Sequence, residues 1–134
     1  MHMSHVNYYA LIASAAIQWV IGAIWYGVMF KKSWKKLVGG IGEISGGRAA
    51  FAMVCSFVAS IVLCYVLANI IMLAGTDAFL GGLALAIVCW LGFMAPPLFA
   101  QHIYERRPVN LFAINAGYWV VAMAVSGGVL AIWR

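Results

Sequence analysis

Residues 49–73 read AAFAMVCSFVASIVLCYVLANIIML. The run holds no Asp, Glu, Lys, Arg or His. A helix needs about 20 mainly apolar residues to cross a hydrocarbon core about 30 Å thick. This segment meets that length with some left over for tilt. Three other stretches repeat the pattern. Residues 6–30, 78–101 and 110–133 are similarly long and apolar, and none of them contains a charged side chain. Together the four predict an all-α, polytopic membrane protein, a compact bundle of four transmembrane helices. Residues 1–134 form a single integral membrane domain in this reading.

Composition agrees. The chain is 66% hydrophobic and 8% charged, where soluble domains carry about 25% charged residues. Little is left over for a folded part outside the bilayer.

The net charge of +5 does not point to nucleic acid, because of where the charges fall. Lys31, Lys32, Lys35, Lys36 and Arg48 lie between the first and second stretches, and Arg106 and Arg107 between the third and fourth. The link Ala74-Gly75-Thr76-Asp77 has no basic residue, and only Arg134 falls on its side. By the positive-inside rule both basic links face the cytoplasm and both termini lie outside. The basic residues then act as topology signals and as contacts for anionic lipid headgroups. The first stretch is too long for a signal peptide and its flanking charges have the reverse polarity, so it is expected to be retained.

Local signals refine the spans. Trp34, Leu37, Val38 and Ile41 share one helical face with the lysines directed away, which suits a short helix on the membrane surface. The tight Gly75-Thr76-Asp77 link predicts a hairpin of spans two and three, with Asp77 capping the next helix. Pro96-Pro97 predicts a kink in span three, because each proline removes a donor and crowds the preceding turn. Ala10 and Ser14, Ala113 and Gly117, and Ala124 and Gly128 are small pairs at helix-packing spacing.

Chemistry has few places to sit. Cys55 and Cys64 point to opposite faces of one helix, and no ligand set converges at metal-binding spacing. No catalytic, cofactor or metal site is expected, and an enzyme is unsupported. The polar residues of the spans are Asn7, Gln18, Asn69, Gln101 and Asn115, besides the hydroxyls of Ser, Thr and Tyr. Asn115 and Tyr118 share a helical face, at a depth similar to Trp25 and Tyr26. Gln18, Trp25, Tyr26, Asn115 and Tyr118 are the candidate polar cluster. It reads either as interhelical hydrogen bonding or as a small cavity open to the cytoplasm.

Three segments, HVNYYALIASAA, GAIWYGVMFKKSW and WLGFMAPPLFAQHIYERRPVNLFAINAGYWVVAMAVSGGVLA, resemble a widespread family of small bacterial integral membrane proteins. That family has four spans and is catalogued only as a domain of unknown function. Its most specific features here are Trp25-Tyr26-Gly27, Arg107-Pro108 and Ile114-Asn115-Ala116-Gly117-Tyr118. This chain departs from the family at Arg106, where a small residue is usual. The resemblance implies a bacterial inner membrane and four spans, and no activity.

Two functions compete. The first is association, as a homo-oligomer or as an accessory subunit of a membrane complex. The second is a small oligomeric transporter or channel with a cytoplasm-facing polar cavity.

Overall fold

The computed structural model describes residues 7–29, 32 and 47–133, and all the regular structure among them is helical. Helix α1, Tyr8–Ile24, runs on into a π-helical turn, Trp25–Met29. Helix α2 is Gly47–Ala74. Helix α3, Phe79–Cys89, passes through a second π-helical turn, Trp90–Met94, into α4, Ala95–Tyr104. Helix α5 is Val109–Ile132. Four spans are long and apolar enough to cross a membrane: Tyr8–Val28, Ala50–Ala74, Phe79–Tyr104 and Val109–Ile132.

Helix boundaries follow local chemistry. Asn7 caps α1, its Oδ1 accepting from the amides of Tyr9 at 3.0 Å and Ala10 at 3.3 Å. A cap of this kind satisfies donors that have no partner within the helix. Asn7 is therefore a capping residue and lies outside the span. The expected Asp77 cap is corrected. The N-cap of α3 is Ala78, with no side-chain bond, because the helix starts one residue too late for Asp77 to hold that position.

Two helices end in the same left-handed way. Gly75 has φ 72°, and its amide and that of Thr76 reach back to Met72 and Ile71 carbonyls. Arg106 has φ 57°, with its amide and that of Arg107 reaching Ile103 and His102 carbonyls. Both are the Schellman closure, which favours glycine at the left-handed position.

Span four is the hub, packing against the other three, and spans one and two also pack on each other. Span three rests mainly on span four and touches span two little, so the expected hairpin of spans two and three is corrected. The reason is backbone proximity. A Cβ built on Gly82 would strike the carbonyl oxygen of Gly127 and come within 2.6 Å of Ala131 Cβ. One on Gly127 would lie 2.7 Å from Ala86 Cβ. Gly82 with Ala86, and Gly127 with Ala131, thus form facing small-residue rows. In lipid, where tails are as apolar as leucine, close backbone packing is what holds helices together.

Span three is interrupted, as the prolines predict, but one turn earlier than Pro96-Pro97. Their rings crowd the carbonyls four residues back, on Gly92 and Phe93. The widened turn carries those carbonyls, and the Ala95 amide bonds the Trp90 carbonyl five residues back. The strain of the prolines is thus absorbed in the turn that precedes them.

The amphipathic segment through Trp34, Leu37, Val38 and Ile41 lies outside the described residues, as do Lys31, Lys35 and Lys36. Lys32, Arg106 and Arg107 are exposed, and Arg107 Nε sits 3.0 Å from Glu105 Oε2.

Candidate functional site

The antiparallel seam between spans one and four gathers the polar residues. On span one Ser14, Gln18, Gly22 and Tyr26 follow at intervals of four, so they line one helical face. Asn115, Tyr118, Ala122 and Ser126 face them from span four. The small member of each pair makes room for the large one. A Cβ on Gly22 would lie 3.2 Å from the Tyr118 ring, and one on Gly117 would lie 3.0 Å from the Trp25 ring.

Hydrogen bonds tie this seam together. The Trp25 indole N–H donates to the Ile114 carbonyl at 2.9 Å. Tyr26 Oη donates to Asn115 Oδ1 at 2.8 Å. Tyr118 Oη donates to the Gln18 carbonyl at 3.0 Å, and Ser126 Oγ to the Ser14 carbonyl at 3.5 Å. In a regular α-helix, adjacent side chains diverge by about 100°. Trp25 and Tyr26, which open the π-helical turn, both reach span four. Such turns recur at functional sites.

His102 was absent from the sequence-derived cluster, because span three was expected to end at Gln101. The helix runs on to Tyr104 and buries the imidazole to 5% exposure. Its Nδ1 lies 2.9 Å from the Leu98 carbonyl, and its Nε2 lies 3.3 Å from Asn115 Nδ2. A carbonyl can only accept, so Nδ1 carries the proton and Nε2 accepts from the Asn115 amide. The Phe112 ring packs edge-on at 5.7 Å. A chain therefore runs from Tyr26 through Asn115 and His102 to Leu98, linking spans one, four and three at the end of the bundle that carries the basic links. The one signal for His102 in the sequence was its spacing of four from Leu98 on a helix already bearing two prolines.

Gln18 occupies the middle of the seam and is fully buried, and neither atom of its amide has a hydrogen-bond partner. Ser14 Oγ is unpartnered too. All five residues of the sequence-derived cluster lie along this seam. They form two groups: Trp25, Tyr26 and Asn115 at the basic end, and Gln18 farther in, joined through Tyr118.

Beside the seam a cleft of about 320 Å³ opens between spans one, two and four. Trp19, Gly22, Ala23 and Tyr26 line it from span one. Span two contributes Met53, Ser56, Ala59 and Ser60, and span four contributes Tyr118 and Trp119. Its inner wall is the Tyr26–Tyr118 pair, whose ring centroids are 5.5 Å apart and tilted by 57°. The Tyr118 and Trp119 rings meet edge to face at 4.8 Å. Among the described residues no group of His, Cys, Asp and Glu could hold a metal ion.

Four packed apolar helices with a polar seam define a multi-pass membrane protein. The chain belongs to the family described as a protein of unknown function, DUF1761, whose model matches residues 9–131. No curated protein and no solved structure matches it.

Proposed function

We propose that this protein binds a small molecule reached through the bilayer, in the cleft between spans one, two and four. The observation that carries this reading is the cleft's inner wall. Tyr26 is fixed by Asn115 and His102, and Tyr118 by the Gln18 carbonyl. Side chains held from behind present a rigid surface, and rigid first contacts are what binding sites need. Concave pockets with few, well-placed polar groups are the usual form of small-molecule sites. This favours the transporter or channel reading over association alone, with the cavity inside one chain.

The test is purification in mild detergent followed by native mass spectrometry. A small molecule of fixed mass is expected on the wild type and absent from Ala59→Leu, which fills the cleft. The same bare mass for both would defeat the proposal.

Association remains a second reading because of one feature. The first turns of span two are exposed almost throughout, and Ala52, Ser56 and Ala59 form a small-residue row there. A helix of a second copy, or of a partner in a membrane complex, laid along that row would roof the cleft. The native mass reports this directly.

We place the protein in a bacterial inner membrane. Lys31, Lys32, Lys35, Lys36, Arg48, Arg106 and Arg107 face the cytoplasm and anionic lipid headgroups, and both termini lie outside. Labelling of a cysteine introduced beside Lys36 by an impermeant reagent, in intact cells, would reverse this orientation.

A further inference from the structure

We propose that the middle of the seam between spans one and four is a binding site for water, held by the Gln18 amide and the Ser14 hydroxyl. The inference is independent of the cleft, which neither residue lines.

Register locates the site. Ser126 bonds the Ser14 carbonyl, and Gly22 lies against the Tyr118 ring, where a Cβ would come within 3.2 Å. The antiparallel helices thus pair Ser14 with Ser126 and Gly22 with Tyr118, which sets Gln18 opposite Ala122. Ala122 offers a single methyl group against a long side chain, and both residues are fully buried. Gln18 is also the central residue of the Tyr8–Val28 span, so it lies as far from bulk water as this helix allows. Span two closes the third side, with the buried Cys64 thiol against Ser126.

Unmet hydrogen bonds show that the place needs an occupant. Neither Nε2 nor Oε1 of Gln18 has a partner, and nor does Ser14 Oγ. The two side chains are one turn apart on the same helical face. A polar group left unmet in hydrocarbon is strongly disfavoured, and a carboxamide carries two of them. The neighbouring hydroxyl protons are already committed, Tyr118 Oη to the Gln18 carbonyl and Ser126 Oγ to the Ser14 carbonyl. Neither can donate to Oε1. The Cys64 thiol is a weak donor and a weak acceptor.

Chemistry selects water. The amide requires an acceptor at Nε2 and a donor at Oε1. A cation would serve the oxygen and leave Nε2 unmet, and an anion would do the reverse. Water does both, and buried waters make about three hydrogen bonds to groups that otherwise lack them. A water that accepts from Nε2 can donate to Ser14 Oγ, and a second can donate to Oε1.

The full-length chain in micelles, labelled with 15N in glutamine, provides the test. It has two glutamines, Gln18 and Gln101. Gln101 is exposed, so Gln101→Glu assigns the remaining side-chain amide to Gln18 without touching the seam. The readout is magnetisation transfer from water to the Gln18 Nε2 protons. Bound water transfers it by dipolar contact, with opposite signs in the laboratory and rotating frames, whereas proton exchange gives the same sign in both. Dipolar transfer is expected in the wild type. It should persist in Ser14→Ala, Ser126→Ala and Tyr118→Phe, because each removes a hydroxyl and leaves the amide and the space around it. Loss of transfer in any of the three would identify that hydroxyl as its source and overturn the proposal. Absence of transfer in the wild type would mean a dry seam and overturn it as well. So would a saturable shift of the Gln18 resonances with sodium chloride, ionic strength being held by choline chloride, which marks a cation site. If one variant fails to fold, the wild type and the other two decide.

Discussion

Tyr26 and Asn115 stand 89 positions apart in the chain, and their side chains meet at 2.8 Å. That bond joins the facing sides of spans one and four. It is also the point at which His102 of span three joins them, through the other atom of the same amide. One carboxamide therefore ties three helices together at the basic end of the bundle.

The first prediction concerns this bond. Interhelical hydrogen bonds in membranes are worth about 0.6 kcal/mol on average and up to about 1.7 kcal/mol. Asn115 makes two, so Asn115→Leu should destabilise by about 1–2 kcal/mol. Tyr26→Phe should lose less. A double-mutant cycle on reversible unfolding in mixed micelles should give a coupling of about 0.6 kcal/mol or more between the two. A coupling of zero would mean that the bond contributes nothing.

The close crossing of spans three and four gives the second. Gly82→Leu forces a side chain into the Gly127 backbone, which cannot yield as a flexible side chain can. Overpacking of this kind costs about 1–3 kcal/mol, occasionally more, and Gly82→Leu should reach the upper limit. Gly92 has nothing within 4 Å of a built Cβ, so Gly92→Ala should leave the unfolding midpoint unchanged or raise it slightly. Similar losses in both variants would contradict the crossing.

Arg106 supplies the third. A side chain in the left-handed region costs about 1–2 kcal/mol, and the salt bridge at this helix end is made by Arg107. Arg106→Gly should therefore stabilise the chain by about 1 kcal/mol. The gain comes from the backbone, because only glycine takes the left-handed conformation without a Cβ penalty. A drop in the unfolding midpoint of Arg106→Gly would refute this.

The four spans were legible because length and apolarity alone decide whether a helix crosses a bilayer. Their facing was legible only where a polar group had one inexpensive direction to point. Asn115 and Tyr118 share a helical face, and the structure turns both toward span one. Other features depended on pairings that sequence does not encode locally. The Gly82–Gly127 approach needs two rows to meet, and neither is distinguished from other small pairs such as Ala124 and Gly128. Asn7 read as a polar residue in a span because a cap differs from a first turn by a single residue. His102 was missed for a related reason. The prolines predicted an interruption, but the widened turn at Trp90–Met94 lets the helix continue past them and carries the imidazole into the bundle.

That continuation is the ground for the last prediction. A turn with bonds to the fifth residue back holds one residue more than a regular α-helical turn, so it rotates everything beyond it by about 100°. The facing of His102 toward Asn115 therefore depends on the Trp90–Met94 turn. The turn in turn depends on Pro96 and Pro97, which remove the donors that would close regular bonds to Gly92 and Phe93. Replacing both prolines with alanine restores those donors and should return the segment to regular α-helix. The imidazole would then swing off span four, even though the variant gains intrinsic helix propensity. The readout is the His102 ring 15N resonances in labelled protein. In the wild type they should report one tautomer, protonated at Nδ1 and bare at Nε2. In the double variant they should show the mixed tautomers of a solvated ring. Wild-type resonances in the variant would show that packing, and not the prolines, sets the phase of α4.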